Sequence, residues 1–139
     1  MSDRVFVDTN VFVYLFDSEE PRKQQTARTL LETLASSAIV VISTQVLQEF
    51  YVSVTRKLAK PLPVGQAEQA TKNLSAYNVV QIDVSMVFAA ISLCQREQTS
   101  LWDALIVRAA VESGCTRLLS EDLQDGRKFE STAVENPFL

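Results

Sequence analysis

An α/β fold, a three-layer α/β/α sandwich around a central and mainly parallel sheet, is predicted by three features of the 139-residue sequence. Short apolar runs rich in β-branched residues recur at Val5–Val7, Ile39–Ile42 and Val79–Ile82, each too short for a helix. Longer stretches of helical periodicity separate them, and that alternation builds parallel strands joined by right-handed crossovers. Ile39-Val40-Val41-Ile42 is continuously apolar rather than alternating, as a strand covered on both faces requires.

Taken in order, Val5-Phe6-Val7 is a buried strand that stops at Asp8-Thr9-Asn10, and one of these three caps the helix that begins with Val11-Phe12-Val13. Pro21 stands in the first turn of a helix reaching Leu34, with Ala27, Leu30, Leu31 and Leu34 on one face. The second strand, Ile39–Ile42, leads to Ser43 and Thr44 as caps of a helix expected to run to about Leu58. Val46, Leu47, Phe50, Tyr51, Val54 and Leu58 share an arc on that helix, which makes Glu49, outside the arc, a solvated surface acid by periodicity alone. Pro61 and Pro63 break the chain before a helix from about Val64 to Ala76. A third strand, Val79 to Asp83, and a helix from Ser85 to Glu97 follow.

The next helix opens at Ser100-Leu101-Trp102-Asp103, which reads as a capping box, and ends before Gly114, where a left-handed cap belongs. Trp102, Ile106, Ala109 and Ala110 form its expected apolar face, with Arg108 and Glu112 on the polar one. By helical angle Asp103 also points inward, and an inward carboxylate needs a partner. Arg117 to Ser120 is a fourth strand ending at Glu121-Asp122, and Asp125-Gly126 reads as a turn. Ala133-Val134 is expected as a weak edge strand, with Phe138 docking on the body.

Composition narrows the chemistry. The sequence has no histidine, which removes Ser-His and Cys-His nucleophile pairs and HExxH zinc sites together. Three glycines, Gly65, Gly114 and Gly126, build neither a P-loop nor a GxGxxG fingerprint. Cys94 and Cys115 match no zinc or CxxC spacing and read as reduced small hydrophobes. Catalysis in such a chain falls to carboxylates working with a hard metal. The net charge of −4 argues mildly against non-specific nucleic-acid binding, an objection that weakens if the acids surround cations. With no apolar signal core after Met1 and no run long enough to cross a membrane, a single cytoplasmic domain over residues 1–139 is expected.

Each acid has an ordinary explanation when taken alone. Asp8 is accounted for as a helix cap, Asp103 as part of a capping box, and Asp122 as a turn or cap residue. Together they sit at two strand ends and at the start of a helix on the same side of the sheet, where open α/β sheets bind ligands. Carboxylates gathered there repel one another unless a cation lies between them, and oxygen donors of this kind suit Mg²⁺ or Mn²⁺.

Four short motifs occur in order along the chain: Val7-Asp8-Thr9-Asn10, Gln48-Glu49-Phe50, Leu101-Trp102-Asp103-Ala104-Leu105-Ile106 and Leu119-Ser120-Glu121-Asp122-Leu123. Over essentially its whole length the sequence thereby resembles the PIN-domain family, and within it the VapC-type toxins of toxin–antitoxin pairs. The resemblance implies a PIN-like fold and a metal-dependent endoribonuclease. It implies that Asp8, Glu49, Asp103 and Asp122 hold one or two Mg²⁺ or Mn²⁺ ions, with Thr9, Asn10 and Ser120 as supporting polar groups. For Glu49 it overrules the periodicity. It further implies in-line hydrolysis leaving 5′-phosphate and 3′-hydroxyl ends, a homodimer, and a cognate antitoxin whose tail crosses the groove. Arg4, Arg22, Lys23, Arg56, Lys57, Lys60 and Arg108 are the candidates for gripping RNA.

Two other classes fit parts of the pattern. An aspartate-based phosphatase would use Asp8 as nucleophile, yet Asn10 stands where the halo-acid type carries a second acid. A PIN-like binding module without catalysis would have no use for four clustered carboxylates.

Overall fold

The computed structural model describes residues 3–139. Six strands form one sheet in the order β3-β2-β1-β4-β6-β5. β1 (Asp3–Val7), β2 (Ala38–Ser43), β3 (Asn78–Val80), β4 (Arg117–Leu119) and β6 (Thr132–Glu135) pair in parallel, and the two-residue β5 (Lys128–Phe129) runs antiparallel to β6. Val5, Phe6 and Val7 in β1, and Val40, Val41 and Ile42 in β2, are all buried. Because successive residues of a strand point to opposite faces, the sheet is covered on both sides.

The covering layers follow from connectivity. α1 (Thr9–Tyr14) and α2 (Pro21–Ser37) link β1 to β2, and α3 (Thr44–Val52) and α4 (Val64–Leu74) link β2 to β3. Two right-handed crossovers in one direction place these four helices on one face. α5 (Val84–Glu97) and α6 (Leu101–Glu112) carry the chain back from β3 across β2 and β1 to β4, and so cover the other face. The strand order therefore reverses between β1 and β4, the position at which an open α/β sheet leaves a crevice beyond its C-terminal strand ends.

Several elements differ from the sequence expectation. The helix after β2 is regular only to Val52; Ser53–Lys57 forms a π-helical turn, and Leu58 leaves it in extended conformation. The third strand is shorter, because Gln81–Asp83 leave the sheet and Asp83 caps α5, accepting the Met86 N–H at 2.8 Å. The Ala133-Val134 segment is not an edge strand: β6 is paired on both sides, and β5, which has too few residues to carry a pattern, forms the edge. Trp102 does not join the apolar face of α6 and lies 62% exposed, while Ile106, Ala109 and Ala110 are buried as expected. The capping box is half formed: Ser100 Oγ accepts the Asp103 N–H at 3.0 Å, but the Asp103 carboxylate does not return to the Ser100 amide. Gly114 follows α6 at φ +76°, the left-handed position expected of it. Phe138 packs edge-on against Tyr14 at 4.9 Å. Cys94 and Cys115 are free thiols. Among the described residues, no helix is long and apolar enough to cross a membrane.

Phe50 on α3 is 0% exposed and meets Phe16 edge to face at 5.8 Å, so it anchors the helix that carries Glu49. Phe50→Ala is expected to cost about 3–5 kcal/mol in urea unfolding, whereas Phe88→Ala, at a side chain 64% exposed, stays within about 0.5 kcal/mol.

Candidate metal centre

Asp8 is the first residue beyond β1, and three contacts hold it. Its N–H continues the sheet ladder to the Leu119 carbonyl at 2.9 Å. Its Oδ1 accepts the Thr9 N–H at 2.7 Å, which caps α1, and its Oδ2 accepts the Ser120 hydroxyl at 2.8 Å. The ordinary explanation as a cap is thus correct, and Asp8 also faces the crevice. At 4% exposure, desolvation pushes its carboxyl from 3.8 up to about 7; the Ser120 and Thr9 bonds pull it down, and the charges of Asp122 and Glu49 raise it.

Glu49 is not a solvated acid. It is half-buried in the wall of the crevice; Thr9 Oγ1 donates to its Oε1 at 2.8 Å and Gln45 Nε2 to its Oε2 at 3.0 Å. On α3 the inward face is Gln45, Val46, Glu49 and Phe50. The arc read from the sequence followed the apolar residues Val46, Leu47, Phe50 and Tyr51; the structure also buries the polar Gln45, which turns the inward face toward Glu49. Gln45, 5% exposed one turn before Glu49, is the residue the sequence reading missed.

Ser120 ties the fourth strand to the same point, since its Oγ also accepts the Asp122 N–H at 3.2 Å. Asp122 stands at the exposed rim. Its carboxyl is raised first by desolvation on the crevice side and then by the charges of Asp103, Glu121 and Glu49. Asp103, half-buried at the start of α6, is not among the residues that line the crevice; its charge is felt there through Asp122, whose carboxyl it raises. Asn10 also lines the crevice, and its Oδ1, like Gln45 Oε1, is a buried acceptor without a partner.

The crevice encloses about 640 Å³ and is lined by Asp8, Thr9, Asn10, Gln45, Glu49 and Asp122 on its polar side, and by Val13, Tyr14, Val52, Leu58 and Trp102 on its apolar one. Lys57, at the end of the π-helical turn, is the single basic residue lining it among the described residues. The other basic candidates are engaged elsewhere or stand outside. Arg4 donates to the Ser113 carbonyl at 2.7 Å, and Arg108 pairs with Glu112 and Glu130. Lys23 is clasped at the mouth, 2.6 Å from Glu121 Oε2 and 3.2 Å from the Tyr14 hydroxyl, which itself donates to Glu121 Oε1. None of the four candidate ligands forms an ion pair with a described Lys or Arg.

These donors fit a hard divalent cation in kind: carboxylate oxygens sharing one field, supported by hydroxyls and amides, with no protein cation to neutralise them. As they stand, no three of the described Asp, Glu or Cys side chains close tightly enough around one point to hold an ion. The cluster is an open set of donors, not a finished cage.

An α/β domain with an acidic crevice at the switch point of its sheet is the class that the fold and site define. Within that class the chain belongs to the PIN domain family, whose profile matches residues 5–133. Solved structures share the fold. A toxin–antitoxin complex from Klebsiella pneumoniae aligns at 22% identity with TM-score 0.70, covering 96% of this chain and 97% of that chain. The sarcin–ricin-loop-cleaving toxin VapC20 of Mycobacterium tuberculosis aligns at 20% identity with TM-score 0.66, covering 82% and 86%. VapBC2 from Rickettsia felis, bound to a DNA fragment from its promoter, aligns at 18% identity with TM-score 0.67, covering 96% and 98%. No curated protein matches the sequence.

The raised carboxyl of Asp8 has a definite consequence for stability without divalent cations. Between 3.8 and about 7 the folded protein keeps a proton on Asp8 that the unfolded chain has released, so stability falls as pH rises through this window. In chelator, Asp8→Asn is therefore expected to match the wild type near pH 4 and to exceed it above pH 7, by up to roughly 4 kcal/mol in urea unfolding.

Proposed function

We propose that this PIN domain is a metal-dependent endoribonuclease and acts in the cytoplasm as the toxin of a type II toxin–antitoxin pair. The observation that carries the reading is a crevice lined by Asp8, Glu49 and Asp122, with Asp103 raising the Asp122 carboxyl from beside it, and none of the four ion-paired to a described basic side chain. Folding around unpaired carboxylates is costly, and a cation offsets that cost.

Asp8, Glu49, Asp103 and Asp122 would hold Mg²⁺ or Mn²⁺, which when bound supplies Lewis-acid charge to the scissile phosphate and acidifies the attacking water. Thr9 fixes two ligands at once, with its N–H on Asp8 and its hydroxyl on Glu49. Ser120 does the same between Asp8 and the Asp122 backbone. Asn10 offers its unpartnered Oδ1 to a donor entering the crevice. Lys57 is positioned to meet a backbone phosphate of the RNA. With no imidazole in the sequence, the proton lost by the attacking water goes to a carboxylate oxygen of the cluster or to solvent.

The toxin role is supported by likeness in fold to proteins described as toxin–antitoxin complexes and as a toxin that cleaves the sarcin–ricin loop. In this reading the chain works as a homodimer, and a cognate antitoxin lays its tail across the crevice.

Incubating a total RNA pool with the purified protein and Mn²⁺ or Mg²⁺ is expected to yield discrete fragments with 5′-phosphate ends, and chelator abolishes them. Asp8→Asn, Glu49→Gln, Asp103→Asn and Asp122→Asn each lower cleavage on the order of 10²-fold or more, and Thr9→Val lowers it about 10- to 100-fold. Cleavage that persists in chelator, or that survives all four substitutions, would sink the reading. Expression of the wild type alone is expected to arrest growth of the host cell where Asp8→Asn does not, and light scattering should give the mass of a dimer.

A further inference from the structure

Trp102 is not needed to hold or position any of the four acids, yet it is the sole tryptophan of the chain and stands 62% exposed at the lip of the crevice. An indole left in water forfeits the stabilisation that burial would bring. Its position is nonetheless fixed from below. Gln45 Nε2 donates to the Trp102 carbonyl at 3.1 Å and to Glu49 Oε2 at 3.0 Å, so one buried amide ties the backbone under the ring to an acid of the cluster. The next residue is Asp103. The ring thus stands at the start of α6 in the same lining as Asp8, Glu49 and Asp122, with Val52 exposed beside them.

The charge of the crevice says what such a ring is for. Asp8, Asp17, Glu49 and Asp122 line it, against Lys57 alone among the described residues. Binding by phosphate neutralisation scales with the number of Lys and Arg contacts, so one lysine supplies little of it. Lys57 and the proposed cations account for only one or two phosphates, so the remaining grip on an RNA held here falls to its bases. Every base offers a π-face to an aromatic ring, but within a duplex both faces are already stacked.

We propose that Trp102 is the base-stacking platform of this site: an unpaired nucleobase beside the scissile phosphate stacks on its indole. The inference rests on the ribonuclease reading above and adds a specificity-determining residue to it. It also fixes the salt response, because a site that grips bases and one or two phosphates loses affinity only gently as salt rises.

The test uses the full chain with Mn²⁺, a random-sequence single-stranded oligoribonucleotide pool, and the same pool annealed to its complement. Trp102→Ala is expected to lower kcat/KM on the single strands about 10- to 100-fold, mostly through KM, and Trp102→Phe to retain most of it. For a cleaved sequence, an abasic nucleotide is placed in turn on each side of the cut. At the stacking position wild type and Trp102→Ala should then become equal. Since Trp102 is the only tryptophan, its fluorescence in the Asp8→Asn variant should be quenched by the single strands and not by the duplex. Equal cleavage by wild type and Trp102→Ala would overturn the proposal. So would a difference between wild type and Trp102→Ala that stays the same size on every abasic substrate, or one that accompanies a change of mass in solution; the ring would then serve a protein interface. If the wild type cuts no RNA, the ribonuclease reading fails, and quenching by single strands still decides whether the indole stacks a base.

Discussion

The pairing of β1 with β4 is the constraint on which the rest of the site depends. It brings the ends of two strands far apart in sequence to adjacent positions, where the Asp8 N–H meets the Leu119 carbonyl and the Ser120 hydroxyl meets Asp8 Oδ2. α1 and α3 are then oriented from this point, because Thr9 contacts both Asp8 and Glu49. Without the reversal of strand order between β1 and β4, these residues would have helices packed over them instead of open space.

Against this tight backbone the side-chain electrostatics are left unresolved by the protein itself. The sheet ends deliver carboxylates, and Lys23 is committed to Glu121 and the Tyr14 hydroxyl rather than to Asp122. That clasp raises the Lys23 ammonium further above its ordinary range, chiefly through the Glu121 hydrogen bond, and keeps it from quenching the cluster. The phenol is pushed up as well, first by burial and then by Glu121. The carboxylates lining the crevice are thus left without an ion-paired protein cation, which is the electrostatic condition the proposed metal would answer.

Much of this was legible in the sequence where a single physical rule decides the outcome. Val5-Phe6-Val7 and Ile39–Ile42 can only be strands buried on both faces, and an acid directly after the first of them falls at the open edge of the sheet. Glu49 was not legible from periodicity, because the inward face of α3 includes the buried polar side chain of Gln45, and an arc defined by apolar residues leaves that side out. Trp102 was misplaced because residue type makes an indole look like core, and nothing local reveals that it lines a crevice. β5 and the interior place of β6 depend on pairing partners, which no short stretch of sequence displays. The four-motif resemblance supplied the grouping of the acids that geometry alone, read from one chain, does not.

The use of the first and the fourth strands as neighbours has a temporal consequence. During synthesis the segment bearing Asp8 emerges first, while the strand that accepts its N–H and the hydroxyl that holds its carboxylate emerge only with Leu119 and Ser120. A nascent or prematurely terminated chain therefore carries Asp8 and Glu49 but neither the sheet edge that locates Asp8 nor the acid at position 122. The crevice is complete only once Asp122 has been made, and every product truncated before it is without it.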